Sequence, residues 1–174
     1  MTALNNSARI AVIGAGAMGA GIAQVAAQTG HPVLLLDNRP GAAAQAIAGI
    51  DRQLGKRVEN GKLSADARSA TIARLHAVEA IEALADCALI IEAIVENLEV
   101  KRALFRQLEE ICGERCILAS NTPSLSITRI AAQLVHPQRL LGLHFFNPAP
   151  VMPRVGVVGG LASGIGRISA AALL

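Results

Sequence analysis

Apolar residues in this chain fall into short continuous runs separated by longer amphipathic stretches. Ile10 to Ile13, Val33 to Leu36 and Cys87 to Ile91 are unbroken runs, as expected of strands buried on both faces. They predict strands over 9–13, 32–36 and 87–91, joined by further strands over 75–78, 116–119 and 139–144. The stretches between them have helical spacing. Residues 17–29 carry Ile22, Val25 and Ala26 on one face and stop at Gly30. Residues 41–59 carry Ile47, Ile50, Leu54 and Val58, and 97–111 set Leu104, Phe105, Leu108 and Ile111 inward. Ser64 and Ser126 read as N-caps of helices reaching Arg74 and Leu134, and 79–85 as a short helical turn. Strands alternating with helices predict an α/β fold with a doubly wound, mainly parallel sheet. From Gly156 to Gly166 glycine recurs too often for a stable strand interior. The chain then ends in the apolar, uncapped run Ala170 to Leu174, so 164–174 reads as a truncated or altered tail.

Composition narrows the class. A chain of 174 residues with 52% hydrophobic and 17% charged residues is a single globular domain rather than a disordered segment. Trp and Tyr are absent and Phe occurs three times, so the core is aliphatic. The net charge is +3, with Lys and Arg scattered. That pattern argues against a nucleic-acid groove and suits an anionic ligand such as a nucleotide or a CoA thioester. Met1 to Arg9 lacks the basic-then-apolar layout of a signal peptide. The apolar stretch Cys87 to Val95 is broken by Glu92 and too short to span a bilayer. Cys87, Cys112 and Cys116 lack metal-ligand spacing and read as reduced, buried thiols of a cytoplasmic protein, with no metal expected.

The glycine turn Gly14-Ala15-Gly16-Ala17-Met18-Gly19 changes the picture most. It follows one predicted strand and opens a helix, and Asp37 closes the next strand, about 20 residues on. Strand, glycine turn, helix, strand, acid is the Rossmann-type layout that binds the ADP half of a dinucleotide. Gly14 permits the tight turn, Gly16 lets the backbone approach a pyrophosphate, and Gly19 lets the helix pack closely. Ala17 and Met18 begin the helix whose free N–H groups and dipole hold phosphates. Asp37 is placed to accept from a ribose diol and would repel a 2′-phosphate, which favours NAD over NADP. Arg39 is the counterweight, since arginine accepts that phosphate.

In an open parallel sheet, ligands sit beyond the carboxyl ends of the strands. Three polar clusters fall there: Glu92 to Lys101, Ser120 to Ser124, and His144 to Pro148. His144 is the candidate acid–base group, a titratable imidazole at the end of a buried strand. His31, His76 and His136 read as surface or turn residues.

With these clusters in view, the chain resembles the 3-hydroxyacyl-CoA dehydrogenases, in particular the bacterial 3-hydroxybutyryl-CoA type and its relatives in phenylacetate breakdown. The stretches that carry the resemblance are Gly14 to Ala23, Ile91 to Lys101, Ser120-Asn121-Thr122 and His144 to Met152, and the likeness spans 8–163. The resemblance implies NAD-dependent oxidation of a 3-hydroxyacyl-CoA to a 3-oxoacyl-CoA, within fatty-acid or phenylacetate metabolism. It implies that His144 removes the hydroxyl proton with Asn121 beside the reacting centre, and that Glu96, Lys101, Asn121 and Asn147 line the nicotinamide half. Hydroxyacid and 6-phosphogluconate dehydrogenases share the glycine turn but do not account for the His144 motif.

Two positions depart from the family pattern. The acid that the family pairs with its histidine is replaced by Gly156, and the serine that binds the substrate oxygen is replaced by Pro123. The family's helical second domain, which completes the pocket and forms the homo-oligomer interface, is expected to be absent from 1–174. The expectation is therefore an NAD-binding domain with impaired catalysis, the alternative being a non-catalytic NAD-binding module or inactive fragment.

Overall fold

The computed structural model describes residues 4–5, 7–146, 148–150 and 155–163. Among the described residues, seven strands form one sheet: β1 (Ile10–Ile13), β2 (Val33–Leu36), β3 (Leu75–Val78), β4 (Leu89–Glu92), β5 (Ile117–Ser120), β6 (Leu140–Phe145) and β7 (Val155–Gly159). Their spatial order is β3-β2-β1-β4-β5-β6-β7. β1 to β6 run parallel, and only β7 is antiparallel, paired to β6. The order reverses between β1 and β4, so the crevice beyond their carboxyl ends is the topological switch point.

Helices α1 (Ala17–Gln28), α2 (Ala42–Glu59), α3 (Ala65–Ala73), α4 (Leu98–Ile111) and α5 (Ile127–Ala131) cover the two faces. The strand pleat divides β1 between two cores. Ile10 and Val12 meet Ile22, Ala26 and Leu54 from α1 and α2. Ala11 and Ile13 join the core of Phe105, Leu108 and Ile130 from α4 and α5. The caps follow the sequence: Ser64 accepts from Ala67 N–H and Ser126 from Arg129 N–H. Asn97 accepts from the N–H groups of Glu99 and Val100 and starts α4. Among the described residues, no helix is long and apolar enough to cross a membrane.

Three expectations need correction. Within the glycine-rich stretch, Val155–Gly159 forms β7, because pairing of Phe145 with Val155 through Leu141 with Gly159 overrides the local cost of glycine. Helix α5 ends at Ala131, short of the expected Leu134, although Leu134 is still buried. His31 occupies a connection, but it is buried, with Nδ1 3.1 Å from the Ala8 carbonyl oxygen. The reading of 164–174 as an altered tail falls outside the described residues.

Candidate functional site

The glycine turn lies at the switch point, and its three glycines have three different reasons. Gly14 has φ of 103°, in the left-handed region, and a Cβ there would lie 2.4 Å from the Ala93 carbonyl oxygen. A Cβ on Gly19 would lie 1.7 Å from the Gly14 carbonyl oxygen, so this glycine packs the helix against the turn itself. Gly16 is different. Its φ is −70°, and a Cβ there would meet nothing within 4 Å. No protein contact demands glycine at 16, so the open space beside it fits the close approach of a pyrophosphate. Gly16 also begins α1 without a side-chain cap, which leaves the N–H groups around Ala17 and Met18 to meet an anion.

Asp37 closes this end of the site. Its Oδ2 accepts from Ala15 N–H at 2.7 Å, and its Oδ1 accepts from the backbone N–H and Nε of Arg39 at 3.0 and 3.1 Å. Burial pushes the carboxyl up, but these hydrogen bonds and the Arg39 charge outweigh it and hold the acid below its ordinary 3.8. Arg39 is 71% exposed and is engaged by Asp37. A cleft of about 720 Å³ runs from Asp37 and Arg39 past Gly14 and Gly16 to Ala93 and Ile94.

A second cleft, of about 470 Å³, begins where the first ends. Ala93 and Ile94 line both. Met18, Glu96, Asn121, Pro123, His144, Phe145 and Phe146 complete it. Asn121 Oδ1 accepts from Phe145 N–H at 3.1 Å. A backbone N–H only donates, so this bond fixes the amide orientation and leaves the Asn121 NH2 group as the remaining donor. The His144 ring stacks edge-to-face on Phe146, with centroids 5.2 Å apart. Opposite His144 in the β6–β7 ladder stands Gly156, which supplies no acid to orient the imidazole. Pro123 lines the cleft with neither hydroxyl nor N–H. The neighbouring Ser124 hydroxyl is no substitute, because it is hydrogen-bonded to Glu96 at 3.0 Å.

Glu96 itself is held by Thr122, by Ser124 and by Leu125 N–H. Its burial raises the acid, but these hydroxyls and the Lys101 charge bring it below its ordinary 4.5. Lys101 was expected to line the nicotinamide half. Its side chain is buried, with Nζ 2.5 Å from Glu92 Oε1 and 3.4 Å from Glu96 Oε2. Glu92 and Ser120 received no role from the sequence. A signal was present: Lys101 continues the inward stripe of Phe105 and Leu108, and Glu92 ends a buried apolar strand. Asn147 lies outside the described residues.

Known proteins resemble this chain over most of its length. The profile of the 3-hydroxyacyl-CoA dehydrogenase NAD-binding domain matches residues 9–169. The chain is similar to the 3-hydroxyadipyl-CoA dehydrogenase of Escherichia coli (strain K12), at 54% identity over 158 residues, covering 91% of this chain and 33% of that protein. It is also similar to the 3-hydroxybutyryl-CoA dehydrogenase of Clostridioides difficile, at 42% identity over 152 residues, covering 87% of this chain and 54% of that protein. The crystal structure of 3-hydroxybutyryl-CoA dehydrogenase from Escherichia coli K12 superposes with a TM-score of 0.92 at 52% identity, over 95% of this chain and 35% of that one. The chain thus spans between about a third and about half the length of these relatives. A glycine turn, an acid at the end of β2 and a histidine strand end around one crevice, together with the matched profile, mean that the chain belongs to the NAD-binding-domain family of the 3-hydroxyacyl-CoA dehydrogenases.

Proposed function

We propose that this chain binds NAD along the joined clefts and is the dinucleotide half of an enzyme that oxidises 3-hydroxyacyl-CoA to 3-oxoacyl-CoA. The observation that carries this reading is the sharing of Ala93 and Ile94 by the Gly16–Asp37 cleft and the His144 cleft. Gly14, Gly16, Ala17, Met18 and Gly19 meet the pyrophosphate, and Asp37 meets the ribose diol. Bound NAD supplies the hydride acceptor. His144 accepts the substrate hydroxyl proton as the C3–H electron pair departs, and the Asn121 NH2 group donates to the reacting oxygen. A further cleft, of about 830 Å³ between α1 and α2, presents Arg57 and Lys62, cations that suit an anionic CoA thioester. The free thiols Cys87, Cys112 and Cys116 support a reducing, cytoplasmic setting, and burial pushes Cys87 up to about 12. Fatty-acid and phenylacetate breakdown are the settings consistent with the relatives' substrates.

A second reading has its own support. With Gly156 opposite His144 and Pro123 in the cleft, the chain is an NAD-binding module with impaired turnover. An oriented charge partner for histidine is worth several powers of ten in the worked serine-protease triad. Titrating NADH by its fluorescence and then adding acetoacetyl-CoA tests both readings. Binding with very slow oxidation is expected. Lack of NADH binding would refute the dinucleotide reading, and rapid oxidation would refute the impairment.

A further inference from the structure

With one exception, every buried polar side chain among the described residues has a partner. His31 meets the Ala8 carbonyl oxygen, and Thr71 donates to Ala67. Glu92 accepts from Lys101 and Ser120, and Arg139 donates to the carbonyls of Cys112, Gly113 and Cys116. Gln24 is the exception. It is 3% exposed, and its side-chain amide makes no hydrogen bond among the described residues. A buried amide left unbonded gives up its hydration and gains nothing in exchange, so native folds rarely keep one.

Gln24 lines the cleft of about 830 Å³ between α1 and α2. Ala17, Ala20, Gly21 and Gln24 follow helical spacing, so one face of α1 forms this wall. Helix α2 contributes Gly49, Ile50 and Leu54 at the same spacing. The walls are therefore mostly small or apolar and leave room for a slender chain. Arg57 and Lys62 add cations, and Pro148 and Pro150 bring in the segment that follows β6, the strand of His144. A ligand that matches all of these carries an anion for the cations, a thin flexible arm for the apolar walls and an amide for Gln24. Gln24 offers both a donor and an acceptor, and a secondary amide offers the same pair in return. The pantetheine arm of a CoA thioester carries such amides between its phosphates and its thioester, whereas an acyl chain carries none.

We infer that Gln24 is a binding residue for the pantetheine arm, exchanging hydrogen bonds with one of its secondary amides while Arg57 and Lys62 meet the phosphates. This rests on reading the α1–α2 cleft as the CoA site. Gln24 is then a side chain kept for its ligand, at a cost to the stability of the free protein.

That cost separates the role from a structural one. CoA and adenosine 3′,5′-bisphosphate, which lacks the pantetheine arm, are titrated by calorimetry into the wild-type chain and the Gln24→Leu and Gln24→Met variants. Thermal unfolding of each free protein is measured alongside. Leu and Met keep the approximate volume of Gln and remove the amide. CoA binding is expected to weaken about tenfold in both variants, while bisphosphate affinity stays within about twofold. The Tm of the free variants is expected to be unchanged or raised, because no buried amide is left unbonded. Unchanged CoA affinity, parallel losses for both probes, or a lowered Tm or failure to fold in both variants would overturn the proposal. So would wild-type protein that binds CoA no more tightly than the bisphosphate. Wild-type protein that binds neither probe would overturn the reading of the cleft, and the proposal with it.

Discussion

The two ends of the crevice are built to different degrees of completeness. At the Asp37 end, backbone and side chains agree: Gly14 and Gly19 are demanded by contacts, Gly16 is left open, and Asp37 is held by Ala15 and Arg39. At the His144 end the described strands are in place, but the side chains proposed to do chemistry are fewer. Asn121 is fixed by Phe145 N–H and Glu96 by Thr122 and Ser124, whereas His144 faces Gly156 and the cleft wall at 123 is proline. Binding a dinucleotide needs shape and N–H groups, which the fold supplies through its backbone. Moving a proton needs particular side chains, and single substitutions remove those without disturbing the strands that carried them.

Four experiments break or sharpen this contrast. The largest effect is expected on turnover. Replacing Gly156 by Glu and Pro123 by Ser, in the chain extended by a relative's second domain, should raise acetoacetyl-CoA-dependent NADH oxidation by about a thousandfold, roughly 4 kcal/mol in the barrier. The backbone accommodates the acid, because among the described residues a Cβ at 156 meets only His144, at 3.6 Å. An unchanged rate would mean that the His144 end lacks something else.

Next in size is Gly19→Ala. Its methyl would overlap the Gly14 carbonyl, and a loss of about 3 kcal/mol or more in urea unfolding is expected, with NADH binding lost as well. A loss below about 1 kcal/mol would show that the turn yields more than the contact suggests.

Asp37→Ala should weaken NADH about tenfold, or about 1.4 kcal/mol, and narrow the preference for NADH over NADPH. Equal effects on both cofactors would remove Asp37 from the ribose.

The smallest effect concerns acid stability. Asp37 and Glu96 both titrate below their ordinary values of 3.8 and 4.5. A carboxyl lowered on folding contributes stability that is fully present above its unfolded value and is lost as pH falls through the folded one. Stability should therefore decline below about pH 4.5, and Asp37→Asn should flatten the lower part of that decline. A slope unaltered by the substitution would uncouple Asp37 from folding.

Much of this molecule was legible in the amino-acid order. Unbroken apolar runs marked three strands, since strands buried on both faces need no polar alternation, and three more were read between the helical stretches. The turn at Gly14 to Gly19 and the acid at 37 marked the dinucleotide end, because their constraints are local in the chain. The same order also placed His144 at a strand end. Tertiary structure alone decided the rest. β7 exists because β6 offers it a partner, a long-range pairing that outweighs glycine's local preference. The pairing of Lys101 with Glu92 is likewise a fact of packing across two elements. Local sequence carries propensity and spacing, whereas burial and charge pairing depend on which distant residues the sheet brings together.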